Sequence, residues 1–131
     1  MSWNKERPAT ALTGPHRLLH AFLRDSKVGM GLEVEDEVPV GKYRLDCFVR
    51  DLWMGFECDG KRIHAGIIKQ QKDEARDKWV SENAGIPIMR IQSDSLQFTQ
   101  WEKLKPIVTA FIEEHGDTIA ERRKLGEKLG V

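Results

Sequence analysis

Two short segments, Tyr43-Arg44-Leu45-Asp46-Cys47-Phe48-Val49 and Trp53-Met54-Gly55-Phe56-Glu57-Cys58-Asp59, are separated only by Arg50-Asp51-Leu52. Both contain aromatic residues, and the first also the β-branched Val49, which suit a pleated sheet. The gap between them is too short for a crossover, so an antiparallel hairpin is the simplest way to join them. Side chains alternate between the faces of a strand. Leu45, Cys47 and Val49 are therefore expected on one face with Asp46 and Phe48 on the other, while Phe56 and Cys58 oppose Glu57 and Asp59. A turn centred on Asp51-Leu52 sets Asp46 directly across from Glu57 and Leu45 across from Cys58.

Residues opposed in this way have Cβ atoms about 5 Å apart, and like charges at that spacing destabilise a sheet unless a positive charge lies between them. A divalent cation would reconcile the pair. Mg²⁺ or Mn²⁺ takes hard oxygen ligands at about 2.1 Å and keeps positions for water and phosphate oxygens, as phosphodiester hydrolysis requires. A solvated acidic face on an edge hairpin is the alternative. Past the second strand, Lys61, Arg62 and His64 follow Asp59-Gly60. Histidine titrates near neutrality and is suited to orienting or deprotonating water, and a lysine or arginine to steadying charge on phosphate. Asp73, Arg76 and Asp77 stand at i, i+3 and i+4, so one helix face presents all three, with an intrahelical ion pair as the plainer reading.

The rest of the chain frames this hairpin. Residues 1–14 lack periodicity and read as an irregular arm. Leu18, Leu19, Phe22 and Leu23 recur at helical spacing behind Pro15, which predicts a helix from Pro15 to about Asp25, ended by Gly29 and Gly31. Residues 32–40 form a further strand-like stretch, with a turn over Pro39-Val40-Gly41-Lys42. Residues 60–71 read as a loop. A helix is expected over 72–84 with Ala75, Trp79 and Val80 on one side and Gly85 as its cap. Ile86 to Ile91 suits a buried strand returning parallel to an earlier one, and 101–114 another helix. Residues 116–131 carry Glu121, Arg122, Arg123, Lys124, Glu127 and Lys128, and read as a charged C-terminal helix or a frayed tail. The order is α-β-β-β-α-β-α, in one domain of 131 residues with a core over 15–115.

Composition narrows the class. Hydrophobic residues make up 40% and charged residues 32%, and no apolar run approaches the roughly 20 residues of a membrane helix, so a soluble, cytoplasmic protein without membrane contact is expected. The charges balance at 21 basic and 21 acidic, which argues against broad attraction to nucleic acid while allowing a local basic patch. Cys47 and Cys58 form no CxxC pair or zinc-finger spacing and are expected to be buried free thiols.

The run YRLDCFV, with GFECDGKRIH and KDEARDKWVSENAGIPIMRI after it, resembles the Vsr-like branch of the PD-(D/E)xK nuclease superfamily over about residues 15–92. That branch includes very-short-patch mismatch-repair endonucleases and phage-borne EDxHD homing endonucleases. The resemblance implies a restriction-endonuclease-like α+β fold, a mixed sheet flanked by helices, and metal-dependent hydrolysis of DNA leaving a 5′-phosphate. It assigns Asp46 to the metal-binding aspartate, Glu57 to the acid on the next strand, His64 to the histidine implicated in activating water, and Asp77, or secondarily Asp73, to the helical aspartate. Asp59 stands where the wider superfamily has lysine, with Lys61 as a stand-in. His16 stands where relatives place a first-helix glutamate, so Glu33 or Glu35 is the alternative source of that acid.

The mechanism so implied has Asp46 and Glu57 holding Mg²⁺ or Mn²⁺, the Cys58 carbonyl as a third ligand, and His64 engaging water. Lys61, Arg62, Lys69, Lys72 and Arg76 are the candidate phosphate contacts. A single site per subunit predicts nicking by a monomer and double-strand cutting by a homodimer. The competing expectation is a non-catalytic DNA-binding module, or a nuclease-like subunit completed by a protein partner; RNA is the weaker alternative substrate. No helix-turn-helix or zinc-finger reader is visible. Among the tryptophans, Trp53 and Trp101 are expected in the core, and Trp3 is a candidate for base stacking.

Overall fold

The computed structural model describes residues 14–60 and 66–131. The elements in chain order are α1 (Gly14–Arg24), β1 (Glu35–Val40), β2 (Tyr43–Val49), β3 (Met54–Asp59), α2 (Gly66–Ala84), β4 (Ile88–Gln92), short 3₁₀ turns, α3 (Trp101–Glu114) and α4 (Ile119–Lys128). The fold is α+β, with the sequence of helices and strands expected from the periodicity. No helix among the described residues is long and apolar enough to cross a membrane.

The sheet runs β1-β2-β3-β4, antiparallel across the first two joins and parallel between β3 and β4. The hairpin of β2 and β3 pairs Val49 with Met54, Phe48 with Gly55 and Cys47 with Phe56, the register inferred from its turn. Helices cover both faces. On one, Leu19, Phe22 and Leu23 of α1 and Trp101, Leu104 and Val108 of α3 pack on Cys47, Val49, Phe56 and Ile91. On the other, Val80 and Ala84 of α2 join Val38, Val40, Leu45, Phe48, Trp53 and Ile86. Full burial contributes about 1.5–3 kcal/mol for a side chain the size of Phe22 or Leu19.

Strict alternation fails at one place. Cys47 and Val49 pack toward α1, as expected of one face, but Leu45 packs with Phe48 toward α2. Strand β2 therefore turns over at Asp46. Its neighbour does the same: the β1–β2 register holds at Asp36–Cys47 and at Val38–Leu45, while Glu37, between them and facing Asp46, has φ +49°. A non-glycine residue in that region is strained by about 1–3 kcal/mol, so the surrounding packing must impose it.

Three further differences from expectation have physical causes. Helix α2 begins at Gly66, not at 72, because its opening turns carry the exposed Ile67 and Ile68 and so give no amphipathic signal; the Lys and Gln residues that follow are adequate helix formers. Ala75 is exposed, and the buried face of this helix is set by Val80 and Ala84. The charged C-terminal stretch is an ordered helix docked on the core. Arg122 spends its guanidinium on main-chain carbonyls of Leu52, Trp53, Gly85 and His115, and Arg123 reaches those of Arg50 and Asp51. Trp53 is buried and donates its indole N–H to the Ala84 carbonyl at 2.8 Å; Trp101 is buried too, while Trp3 lies outside the described residues.

Gly126 explains how α4 comes so close. A Cβ there would meet the Trp53 ring at 2.3 Å and the Ala84 carbonyl oxygen at 2.7 Å. Gly126→Ala would gain about 1 kcal/mol of helix propensity in isolation, yet it should lower stability overall by about 1–3 kcal/mol through overpacking. Urea denaturation checks the sign. An unchanged or raised midpoint would mean that α4 does not dock on Trp53.

Candidate functional site

The hydrogen-bonded ladder between β2 and β3 gives way just past Cys47–Phe56, where β2 turns over, and the two acids fill the gap. The Asp46 main-chain N–H donates to Glu57 Oε2 at 2.5 Å, and the Cys58 main-chain N–H donates to Asp46 Oδ2 at 3.0 Å. Each carboxylate thus replaces a strand partner of the other's segment. Arg76 of α2 donates to Glu57 Oε1 at 2.5 Å and to the Arg44 carbonyl. Glu57 is 4% exposed. Burial, together with the charge on Asp46, raises its pKa, outweighing the opposing effects of the Asp46 N–H and Arg76. Burial likewise pushes the Cys58 thiol up to about 11, with Asp46 adding to it.

Asp59, Asp73 and Asp77 converge on a different cation. Arg90 of β4, which sits beside Glu57 in the parallel register, grips Asp77 with two bonds of 2.7 Å and Asp59 at 3.1 Å, with Asp73 at 3.8 Å. Burial alone would lower the Arg90 pKa, but the aspartates, Asp77 first, raise it. The i, i+3, i+4 triad of α2 is thus no intrahelical pair of its own. Arg76 and Asp77 both reach across to the sheet, and Asp73 also takes Lys69 at 3.3 Å. A cleft beside Arg90 is lined by Asp59, Asp73, Glu74, Asp77 and Gln92. Lys72 is exposed on the outer side of α2. Lys61, Arg62 and His64 lie outside the described residues.

The substitutes suggested for a first-helix acid are elsewhere engaged. Glu33 is exposed and within 3.6 Å of Arg24, and Glu35 takes Arg50 at 2.7 and 3.1 Å. The acid that meets His16 is Asp36, which the reversal at Glu37 leaves pointing toward α1. His16 Nε2 lies 3.0 Å from Asp36 Oδ1, His20 Nδ1 lies 2.8 Å from Asp36 Oδ2, and the Cys47 thiol reaches Asp36 Oδ1 at 3.5 Å. Burial would lower the His16 pKa, but its hydrogen bond to Asp36 and the negative charges of Asp46 and Asp36 raise it on balance. Asp36 is held well below the ordinary carboxylate range despite burial, by bonds to His16 and His20. Burial and the neighbouring Asp36 push the Cys47 thiol well up.

Asp36, His20 and Arg90 are the residues that sequence reasoning missed. The i, i+4 spacing of His16 and His20 was a usable signal, since such a pair shares one helix face. No family model, no curated protein and no solved structure matches the chain.

Two expected outcomes follow from these charge groups. Arg90→Met leaves three acids without their common cation and should cost about 3–5 kcal/mol at neutral pH; Arg90→Lys should recover only part, because the bidentate fork is lost. Chemical denaturation measures both, and a loss below that of an exposed ion pair would contradict the cluster's structural role. The second concerns Asp36→Asn. Asp36 has a lowered pKa, so its contribution is present above about pH 4 and fades as pH falls. The raised pKa of His16 makes its share present below about pH 6.5 and lost as pH rises further. In EDTA, the stability gap between wild type and Asp36→Asn should be widest between those limits; a gap independent of pH from 3 to 9 would refute the ion pair.

Proposed function

We propose that this protein is a divalent-metal-dependent endonuclease or nickase of DNA. The observation that carries this reading is the opposition of Asp46 and Glu57 at the place where two paired strands separate. Two carboxylates there, Glu57 buried and Asp46 partly so, share one gap at an electrostatic cost that a hard cation would relieve. The donor chemistry fits Mg²⁺ or Mn²⁺: both groups offer carboxylate oxygens, and one oxygen of Asp46 accepts no hydrogen bond among the described residues. Asp46 and Glu57 would hold the ion, with the Cys58 carbonyl as a third donor. When bound, it would supply a Lewis acid and an acidified water.

The protein's own groups then have separate tasks. The Cys58 N–H fixes Asp46, and Arg76 fixes Glu57, so Arg76 acts on the carboxylate in place of the phosphate contact expected of it. His64 is assigned, on sequence, to take the proton of the attacking water, with Lys61 and Arg62 offsetting phosphate charge. Lys69 and Lys72 would contact the DNA backbone from α2. Asp59 and Asp77, bound to Arg90, anchor α2 against β3 and β4 and so hold Arg76 in reach of Glu57.

One observation favours a second reading, a non-catalytic DNA-binding module or a subunit completed by a partner. Arg76 already places a positive charge on Glu57, so that carboxylate is balanced without a metal ion. Supercoiled plasmid separates the readings. The nuclease reading expects open circles, or linear product if two copies act together, in Mg²⁺ or Mn²⁺ but not in EDTA. Asp46→Ala should abolish cutting while sparing DNA binding, and His64→Ala should slow it by about a hundredfold or more. Retarded DNA with no cutting in any metal would establish the binding module instead.

A further inference from the structure

We propose that His16, Asp36 and Cys47 form a second metal site, specific for a zinc-class divalent ion and distinct from the Asp46–Glu57 pair. Their ligand atoms come from three elements, α1, β1 and β2, and all lie within 4.8 Å of one another. Two edges of the triangle are defined: His16 Nε2 to Asp36 Oδ1 at 3.0 Å, and Cys47 Sγ to the same oxygen at 3.5 Å. A tetrahedral ion with bonds of about 2.0–2.1 Å to nitrogen or oxygen and about 2.3 Å to sulfur sets its donors about 3.3–3.6 Å apart. Those two edges are within a few tenths of an ångström of that figure, and the third is no longer than 4.8 Å. All three residues are buried.

The surroundings have the character of an outer shell. Metal-bound imidazoles usually donate their other ring N–H to a carbonyl or carboxylate, and ligating carboxylates are themselves hydrogen-bonded. His16 hydrogen-bonds the main chain of Asp46, and His20, one helical turn along α1, holds the second oxygen of Asp36 at 2.8 Å. His20 is thus a positioning residue for Asp36. The donor set of one imidazole, one carboxylate and one thiol selects against Mg²⁺, which prefers oxygen throughout, and in favour of Zn²⁺ or Co²⁺. A fourth position falls to water, as in three-ligand zinc sites. On binding, a metal–sulfur bond replaces the Cys47 S–H bond and the thiol proton leaves to solvent; where His16 is protonated, its proton leaves too. No electron is transferred.

This inference does not depend on the nuclease reading, and its readout is not cleavage. The metal-free full-length protein is titrated with Co²⁺ and followed by absorption. The expected result is one tightly bound Co²⁺ per chain that carries visible bands of tetrahedral intensity and a near-ultraviolet sulfur-to-cobalt charge-transfer band, both displaced by Zn²⁺; any further Co²⁺ on carboxylate oxygens adds nothing to the charge-transfer band. Cys47→Ser should remove the charge-transfer band and His16→Gln should weaken binding at least tenfold. His20→Gln should retain the band with affinity reduced about 10–100-fold. Glu57→Gln should leave the charge-transfer band in place, and circular dichroism verifies that each variant folds. Wild-type protein without a charge-transfer band would overturn the proposal irrespective of any variant. So would a band that survives Cys47→Ser and disappears in Cys58→Ser, since the ion would then sit on the other thiol.

Discussion

The reversal of two neighbouring strands at Glu37 and Asp46 is the constraint from which the polar interior follows. Regular strands would have kept Asp46 on the face of Phe48 and continued the ladder to Glu57. Because β2 turns over, the Asp46 carboxylate drops between strands and takes the Cys58 N–H, while Glu57 takes the Asp46 N–H. Main-chain donors left by the broken ladder are thus satisfied by the acids themselves, as buried amides require. The same reversal on β1 leaves Asp36 facing α1, opposite Cys47. This exchange of ladder contacts for carboxylate contacts accounts for the burial of Glu57; the other two buried acids, Asp36 and Asp59, are held by side chains.

Each of those acids has a cation supplied by another element. Asp36 has His16 and His20 from α1, Glu57 has Arg76 from α2, and Asp59 has Arg90 from β4. Arg90 also binds Asp77, so the guanidinium that neutralises the sheet ties α2 to it. Helix α2 buries only Val80 and Ala84 in its long span, and its N-terminal half is positioned by these ion pairs more than by apolar packing. Partly buried pairs of this kind add less net stability than their Coulomb attraction suggests. Their effect is geometric, fixing which face of α2 meets β3.

Much of this was legible in the sequence, and the exceptions have a common cause. The hairpin register followed from turn length and strand pattern, and the core helices from apolar spacing at Leu19, Phe22 and Trp101, because these depend on local periodicity. The reversal at Asp46 did not, since alternation counts residues and is blind to a local twist in the backbone. The same twist on β1 turns Asp36 toward α1, while Glu33 and Glu35, the substitutes for a first-helix acid that the resemblance suggests, pair with Arg24 and Arg50. The docking of α4 is of the same kind: a charged run of residues normally marks a solvated surface, but Arg122 donates to the carbonyls of Leu52 and Trp53 in the β2–β3 turn. No local pattern announces such long-range pairing.

Adjacent residues on one strand usually face opposite ways, and here Asp46 and Cys47 divide two kinds of chemistry between them. Asp46 offers hard oxygen beside Glu57 and the main chain, whereas Cys47 offers sulfur beside an imidazole and Asp36. Hard and soft donors discriminate among divalent ions more by ligand type and geometry than by affinity, so the two groups need not compete for one ion although they are neighbours in the chain. They are nonetheless coupled through His16, whose imidazole bonds both the Asp36 carboxylate and the main chain of Asp46. A charge gained or lost at the Cys47 side would therefore act on the backbone that presents Asp46, and α1 becomes part of the acidic site without contributing a carboxylate to it.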